Sequence, residues 1–305
     1  MKDKRIIKFM IAVFVFVVVA LTAVLFYGTN HSMGDFLIVR GHEKIQKQQS
    51  LALDGYNKIN IDLSSDNVEI ETTDSPKLKV VQTAYNKLKD EDKFTVEKNG
   101  DEINIKRKVQ EFRSFFSFDF RINEKVYIYL PRSYDKNLSI NCSSGNVNFM
   151  SDIKLNELDC DESSGNIKSE HEIQADKVSF TASSGNEEFE KLKSDSYNVN
   201  ASSGNIEINS LSGAGKVEAR SGNIQIKYED IKDEADVEAS SGNVSLTVPS
   251  DLSFEFNGQC SSGDINSNFN MNKDEDGKEA TAKVGKAPYK KISARTSSGN
   301  IRIDK

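Results

Sequence analysis

The chain has 305 residues, of which 47 are acidic and 40 are basic, so its formal net charge is −7 at pH 7. This acidic balance argues against nucleic acid and anionic lipid headgroups as partners of the polar part of the chain. There is no tryptophan, which makes an aromatic sugar-binding platform less favourable but leaves tyrosine available for one.

The first 53 residues predict a membrane anchor followed by a polar stalk. Residues 1–8 form a basic tail with four Lys or Arg residues, and residues 9–27 carry no charge. Such a stretch is about as long as a bilayer-spanning helix, and the basic tail places the amino terminus in the cytoplasm. We therefore predict an uncleaved anchor at 9–27, a juxtamembrane stalk at 28–53 and an extracytoplasmic domain beyond it. A cleaved signal peptide is the alternative.

The first β unit begins near Asp54. Alternating apolar residues lead into Ser64-Ser-Asp-Asn67 and resume after it, which indicates a degenerate copy of the repeat described below, with Asp66 at the glycine position. Aspartate is among the few side chains that tolerate the left-handed backbone region. Residues 94–105 predict two strands around an Asn-Gly turn.

The densest aromatic stretch covers residues 111–121. Its alternating phenylalanines predict one amphipathic strand with these rings in the core. The alternative is an exposed loop that contacts a partner or the membrane. Phe112 and Phe115 fit the core pattern least well and are the candidate partner contacts.

The rest of the chain repeats one motif, written most clearly as Ala-Ser-Ser-Gly-Asn-Ile-Glu-Ile at 201–208. A period near 20 residues predicts a single-stacked β-solenoid in which each repeat forms one rung. Apolar residues occupy every second position before the glycine and every second position after it, but the step from the first series to the second is an odd number of residues. A straight strand would therefore turn the second series outward, so the chain must bend or bulge at Gly-Asn. Glycine accepts the positive φ that such a bend needs. The repeat-turn glycines are Gly145, Gly165, Gly185, Gly204, Gly222, Gly242, Gly263 and Gly299.

The serine before each of these glycines is predicted to form a hydrogen-bonded column inside the solenoid. A structural role is favoured over a catalytic one, because a nucleophile is not needed eight times. Cys142, Cys160 and Cys260 occupy positions that are apolar in other copies, so they are predicted to point into the core without forming a disulfide.

Two further features concern the connections between rungs. Pro131 and Pro249 each precede the next motif glycine by 14 residues, which predicts the same corner built twice. The last two motif glycines are 36 residues apart, and residues 270–285 between them are predicted to form a loop or hairpin extruded from the stack. Its deletion is expected to leave the melting temperature nearly unchanged.

Metal-binding and catalytic patterns are weak. His171 is the only histidine in the repeats and has no histidine or cysteine at ligand spacing, and the acidic runs at 229–236 and 273–277 are predicted to be solvated turns, with weak calcium binding as the alternative. An enzyme would need two carboxylates about 5 to 10 Å apart, but outward acids such as Glu207 and Glu238 form no cluster in sequence. We expect no metal, no cofactor and no catalysis.

Three features together resemble the toast-rack, or putative-adhesin, β-solenoid family of bacterial envelope proteins: the repeated Ser-Ser-Gly-Asn-Ile, Tyr-Leu-Pro at 129–131, and the amino-terminal membrane span. The resemblance extends from about residue 54 to the carboxyl end. Its departures are Asp66, residues 76–120, Glu162 at an alanine position and Glu187 at an isoleucine position. The last two predict less regular second and third rungs.

The resemblance implies a non-catalytic domain outside the membrane, often associated with membrane regulators of the envelope-stress response. We therefore predict an all-β solenoid domain at 54–305 that senses, scaffolds or adheres, held to the membrane by its anchor. Its expected partner is an envelope-stress regulator or a cell-wall component, and not nucleic acid. A polysaccharide-acting enzyme on a β-helix and a purely structural spacer are the alternatives.

Overall fold

The structure, a computed structural model, describes residues 43–107 and 124–305. The predicted tail, anchor and most of the stalk, together with Phe112 and Phe115, lie outside these residues. Within them the chain is strand and turn, apart from a short 3-10 helix at Asp90–Asp92. None of their helices is long and apolar enough to cross a membrane. The all-β prediction is confirmed for this part, and the anchor stays a prediction.

The strands form one continuous sheet that winds along the domain. Its amino-terminal part comprises β1 (Lys44–Ala52), β2 (Lys58–Leu63), β3 (Asn67–Thr73), β4 (Lys77–Ala84), β5 (Thr95–Asn99), β6 (Glu102–Lys106), β7 (Lys125–Pro131), β8 (Asn137–Cys142) and β9 (Val147–Phe149). The central rungs are β10 (Ile153–Ser164), β11 (Ile167–Ser184), β12 (Glu187–Ser203), β13 (Ile206–Ser221) and β14 (Ile224–Ser241). The carboxyl-terminal part comprises β15 (Val244–Thr247), β16 (Phe254–Ser262), β17 (Ile265–Ser267), β18 (Asn272–Lys273), β19 (Glu279–Val284), β20 (Lys290–Ser298) and β21 (Ile301–Asp304).

The central rungs stack in parallel and in register. Between β11 and β12, Ile173 lies beside Leu192 and Val178 beside Tyr197, and β12 continues this alignment into β13. Equivalent residues of successive repeats therefore form columns, with about 4.8 Å between rungs. The prediction of a single-stacked solenoid with rungs of about 20 residues is confirmed. Glu162 and Glu187 themselves keep the common register, and the irregularities of these rungs lie elsewhere, between Ser169 and Glu172 and between Lys193 and Ser196.

The interior of the solenoid is lined by the apolar positions on both sides of each glycine. In one rung, Ala201 and Ile206 are both buried, whereas Ser202 and Ser203 between them are exposed. The bend therefore restores the inward orientation after the glycine, as predicted from the change in parity. The prediction of an internal serine column is wrong, because both residues before the glycine project outward at the corner.

Successive rungs approach so closely at this corner that no side chain fits on the glycine. Gly222 has a φ of +156°, and a Cβ there would lie 1.8 Å from the carbonyl oxygen of Gly204. The first rung follows the same rule, since a Cβ on Gly145 would lie 2.1 Å from the carbonyl oxygen of Asp66. Close backbone approach thus adds to the conformational reason for glycine that the sequence suggests.

Asparagine, rather than serine, supplies the polar column at the corner. The backbone N–H of Asn205 donates to Oδ1 of Asn186 at 2.9 Å, and the N–H of Asn223 donates to Oδ1 of Asn205 at 2.9 Å. Each Oδ1 therefore supplies the acceptor for the backbone N–H of the asparagine in the next rung. The ladder runs through Asn67, Asn146, Asn166, Asn186, Asn205, Asn223, Asn243, Asn300 and Asp264.

The ladder also shows that the last rungs are not stacked in chain order. The rung formed by β20 and β21 lies between the rung of Gly242 and the rung of Gly263, because β20 pairs with β14 on one side and with β16 on the other. The N–H of Gly242 donates to the carbonyl of Ser298 at 2.9 Å, and the N–H of Gly299 donates to that of Ser262 at 2.9 Å.

The two proline corners are equivalent, as predicted. The N–H of Tyr134 donates to the carbonyl of Pro131 at 2.9 Å, and the N–H of Leu252 donates to that of Pro249 at 3.1 Å. After each corner the chain passes over one interposed rung. At the first corner this is the rung of β2 and β3, because β7 pairs with β3 and β8 lies between β2 and β10. At the second corner it is the rung of β20 and β21, which lies between β15 and β16. The extra residues of these corners span that additional rung.

Antiparallel strands cover the edges of the solenoid. Residues 270–285 form the predicted hairpin, in which β18 pairs with β19, but β19 also pairs with β16 and buries Ala280 and Ala282. The hairpin is therefore part of the sheet, and the prediction that it is extruded from the stack is wrong. At the other end, β1 pairs with β4, so the β domain begins near Lys44 and not at Asp54. The predicted hairpin at 94–105 is confirmed as β5 and β6 around Gly100.

Candidate functional site

Two carboxyl groups point into the core of the solenoid. Glu162 lies in register between Cys142 and Ala182, and Glu187 lies between Ile167 and Ile206. Their exposed fractions are 2% and 0%. Charged groups are seldom buried without a partner, because they lose the stabilisation that water gives them. These two residues are therefore the least ordinary ionisable groups of the central rungs.

Burial changes the protonation of both carboxyl groups. Neither oxygen of Glu187 has a hydrogen-bond partner of good geometry. The loss of solvation outweighs the opposing effect of the Ala182 backbone and raises the pKa of Glu187 to about 8. Oε1 of Glu162 accepts a hydrogen bond from the N–H of Ser164 at 2.8 Å, while Oε2 has none. Burial also raises the pKa of Glu162, although its hydrogen bonds act in the opposite direction. Both groups are enclosed by the core and are inaccessible to a substrate.

The cysteines adjoin these acids. All three cysteines are free and buried, as predicted, and the Sγ of Cys142 donates to the backbone carbonyl of Asp66 at 3.4 Å. Burial raises the pKa of both Cys142 and Cys160, and the charges of Glu162 and Glu187 add to the effect at Cys160. The thiols are thus poor nucleophiles as well as inaccessible ones.

A buried ion cluster connects the first rung with the strands at the amino-terminal end. The guanidinium of Arg107 contacts the carboxylate of Asp66 and, at 2.6 Å, Oε2 of Glu124. Although burial opposes its charge, the two carboxylates hold the pKa of Arg107 above its ordinary value. Asp66 therefore stands at the glycine position to bind Arg107. Tolerance of the left-handed backbone region, the reason that the sequence suggests for Asp66, does not include this role, because Arg107 is 41 residues away in sequence.

The two outward carboxylates singled out in the sequence, Glu207 and Glu238, lie in different surroundings. Glu207 is exposed beside Glu188 of the preceding rung. Glu238 contacts Lys216 at 3.4 Å and Arg295 at 3.8 Å, and Arg295 also binds both carboxylate oxygens of Asp236. The structure does not bring Glu207 and Glu238 together. Glu207 follows the glycine of its rung and aligns with Glu188 and Gln225, whereas Glu238 precedes the glycine of a later rung and aligns with Glu218. Glu238 belongs to an ion-pair ladder that attaches β20 to β14.

The surface grooves are open and are lined by a mixture of polar and apolar side chains. One groove of about 550 Å³ is lined by residues that include Asp236, Phe256 and Arg295, and Asp236 and Arg295 form an ion pair at 2.8 Å. His171 lies at the surface with its Nδ1 3.8 Å from Asp152. Across the two described ranges, no three His, Cys, Asp or Glu side chains are grouped so that they could hold a metal ion. The acidic run at 229–236 lies within β14 rather than in a turn.

Comparison with known proteins identifies this architecture. The family model described as Toastrack DUF4097 matches residues 56–304, which includes the rungs and both proline corners. No curated protein matches the chain.

Solved structures of similar architecture come from several bacteria. A putative adhesin from Bacteroides fragilis NCTC 9343 has a TM-score of 0.51 and 12% identity, over 85% of this chain and 97% of that one. A putative adhesin from Parabacteroides merdae ATCC 43184 has a TM-score of 0.43 and 13% identity, over 86% and 97%. A putative lipid binding protein from Parabacteroides distasonis ATCC 8503 has a TM-score of 0.41 and 17% identity, over 84% and 96%. At these identities the first of them supports the fold alone.

Proposed function

From the premise that the chain belongs to the Toastrack DUF4097 family, we propose that it is a non-catalytic module of the bacterial cell envelope. Its predicted anchor at 9–27 holds the solenoid outside the membrane, where it senses, scaffolds or adheres by contact. An envelope-stress regulator or a cell-wall component is the expected partner, and Phe112 and Phe115 are candidate contacts.

The observation that carries this proposal is the location of the perturbed acids. Catalytic carboxylates need a raised pKa together with access to the substrate. Glu162 and Glu187 have the raised pKa but lie inside the core. Accessible acids such as Glu238 instead form ion pairs between rungs. The chemistry of the described residues thus favours contact over catalysis.

Two changes to the chain separate this proposal from an enzymatic one. An envelope-stress reporter is measured in cells that lack the gene and are complemented with wild type, with Glu207→Ala or Glu238→Ala, or with the anchor replaced by a cleavable signal. We expect both alanine variants to restore the response. The released domain is expected to fail, because tethering supplies the local concentration that a weak contact requires.

Other results would refute the proposal. A hydrolase would retain its action on the wall when released and would lose it with one carboxylate, since a catalytic acid contributes about 100-fold or more. A pure spacer would be replaced without loss by an unrelated anchored domain of similar length. Either result would contradict a role through specific contact.

A further inference from the structure

The inward-facing acids have no part in the proposed function, yet they are unusual within the repeat. Most rungs carry isoleucine or valine at the position of Glu187, including Ile167 and Ile206 on its two sides. Alanine is usual at the position of Glu162, as at Ala182 beside it. The rungs of β10 to β12 therefore contain two carboxyl groups where the repeat needs apolar side chains.

The groups that face these acids are neutral or acidic. From β8 and β10 they are the thiols of Cys142 and Cys160, and the strands on either side of Glu187 contribute isoleucines. Asp66 reaches this region through its carbonyl, which binds Cys142, while its carboxylate binds Arg107. Among the described residues, the two carboxyl oxygens of Glu187 have no hydrogen-bond partner, and only one carboxyl oxygen of Glu162 has one.

The same rungs also contain other polar residues. Ser169 takes a position that is Phe149 and Phe189 in the adjacent rungs, and its Oγ donates to the carbonyl of His171 at 2.9 Å. Ser194 is likewise buried and donates to the carbonyl of Ser196 at 2.7 Å. These rungs therefore bury less apolar surface than their neighbours, so their local stability depends more on the state of the two acids.

We propose that Glu162 and Glu187 make the rungs of β10 to β12 a pH-sensitive element, which is packed while these carboxyls are protonated and loosens when they ionise. A protonated carboxyl is neutral and tolerates an apolar core, whereas a carboxylate without a partner does not. Loosening brings water to the carboxylates by separating adjacent rungs. Because repeat proteins are stabilised mainly by contacts between neighbouring rungs, the change is local to this part of the solenoid.

The direction of the pH effect follows from the two states of Glu187. Its pKa is about 8 in the folded protein and 4.5 in its ordinary state, so the folded form binds the proton more tightly. This contribution to stability is complete below pH 4.5 and is lost as pH rises toward 8, above which it stays constant. Each pH unit in this window reduces the folding equilibrium constant about tenfold. Mildly alkaline conditions therefore loosen the element.

The test compares the full-length chain with Glu187→Gln, which imitates the protonated carboxyl at nearly unchanged volume. The control is Glu188→Gln, which alters the adjacent but exposed carboxylate. Urea unfolding is measured between pH 5 and 9. We expect the unfolding midpoint of wild type and of Glu188→Gln to fall with rising pH, and that of Glu187→Gln to fall much less. A second variant, Glu187→Ile, restores the residue of the neighbouring rungs and is expected to give the same flat profile.

Hydrogen exchange at pH 6 and pH 8.5, corrected for the intrinsic exchange rate, locates the change. We expect faster exchange at pH 8.5 in β10 to β12 of wild type, and not in Glu187→Gln. An unchanged pH profile in both Glu187 variants, or exchange that increases equally in all rungs, would overturn the inference. These measurements use purified protein without cells, so their failure would leave the proposed function untouched.

Discussion

Replacement of Gly222 by alanine tests the packing of rungs at the corner. In the structure the new Cβ would lie 1.8 Å from the carbonyl oxygen of Gly204, whereas non-bonded carbon and oxygen atoms need more than 3 Å. The two rungs must therefore separate by more than about 1 Å at this point. The hydrogen bonds that join these two rungs at the corner, from Gly204 to Ser221 and from Ile206 to Asn223, are each 3.0 Å long and would be stretched past their useful range.

The expected cost combines strain with these lost bonds. Holding alanine at a φ of +156° costs about 1 to 3 kcal/mol, and each backbone hydrogen bond contributes about 1 kcal/mol net. We expect Gly222→Ala to lower the free energy of unfolding by about 3 to 5 kcal/mol. The control is Gly100→Ala: Gly100 has a φ of +60° but no atom within 4 Å of its Cβ position, so the change costs only about 1 to 2 kcal/mol.

Urea unfolding followed by circular dichroism distinguishes the two variants. A cost at Gly222 no greater than that at Gly100 would mean that backbone conformation alone selects glycine, and the argument from close approach would be wrong. The same comparison at Gly204, where a Cβ would lie 1.8 Å from the carbonyl oxygen of Gly185, checks that the effect belongs to the whole column.

Two further predictions concern the ends of the solenoid. Arg107→Met should lower the free energy of unfolding at pH 7 by about 3 to 5 kcal/mol, because it leaves the buried carboxylates of Asp66 and Glu124 without their cation. Thermal unfolding measures this loss, and an unaltered melting temperature would contradict it. Deletion of residues 270–285 should lower the melting temperature by several degrees, because β19 covers the edge of β16. Shortening only the turn at 274–277 should not, and equal melting temperatures for the two deletions would refute the covering role.

The repeat made the rungs predictable, since each side chain in the motif has a simple relation to the core. Period, parity and the apolar positions around Gly204 were enough to predict the stack, the bend and the inward direction of Cys142. The hidden role of Asn205 was less evident, because asparagine is common at turns for its own conformational reasons. A column of identical amides one rung apart was nevertheless visible in the sequence.

The remaining features depend on contacts distant in sequence. Nothing local indicates that β20 enters between β14 and β16, because its Ser-Ser-Gly-Asn motif fits any position in the stack. The pair of Arg107 and Asp66 joins residues that no periodicity relates. Residues 270–285 resemble a loop through their polar composition, although Ala280 and Ala282 alternate as an edge strand requires. For Glu187, the sequence revealed the departure from the repeat but not that the register persists around it.

Thiol labelling on intact cells tests the central claim, the display of the solenoid outside the membrane. The native cysteines are all buried, so wild type should react slowly with a membrane-impermeant maleimide and provides the background. Ser183→Cys places a thiol on the exposed corner. We predict rapid labelling of this variant in intact cells and no increase after permeabilisation. Labelling that appears only after permeabilisation would contradict the account.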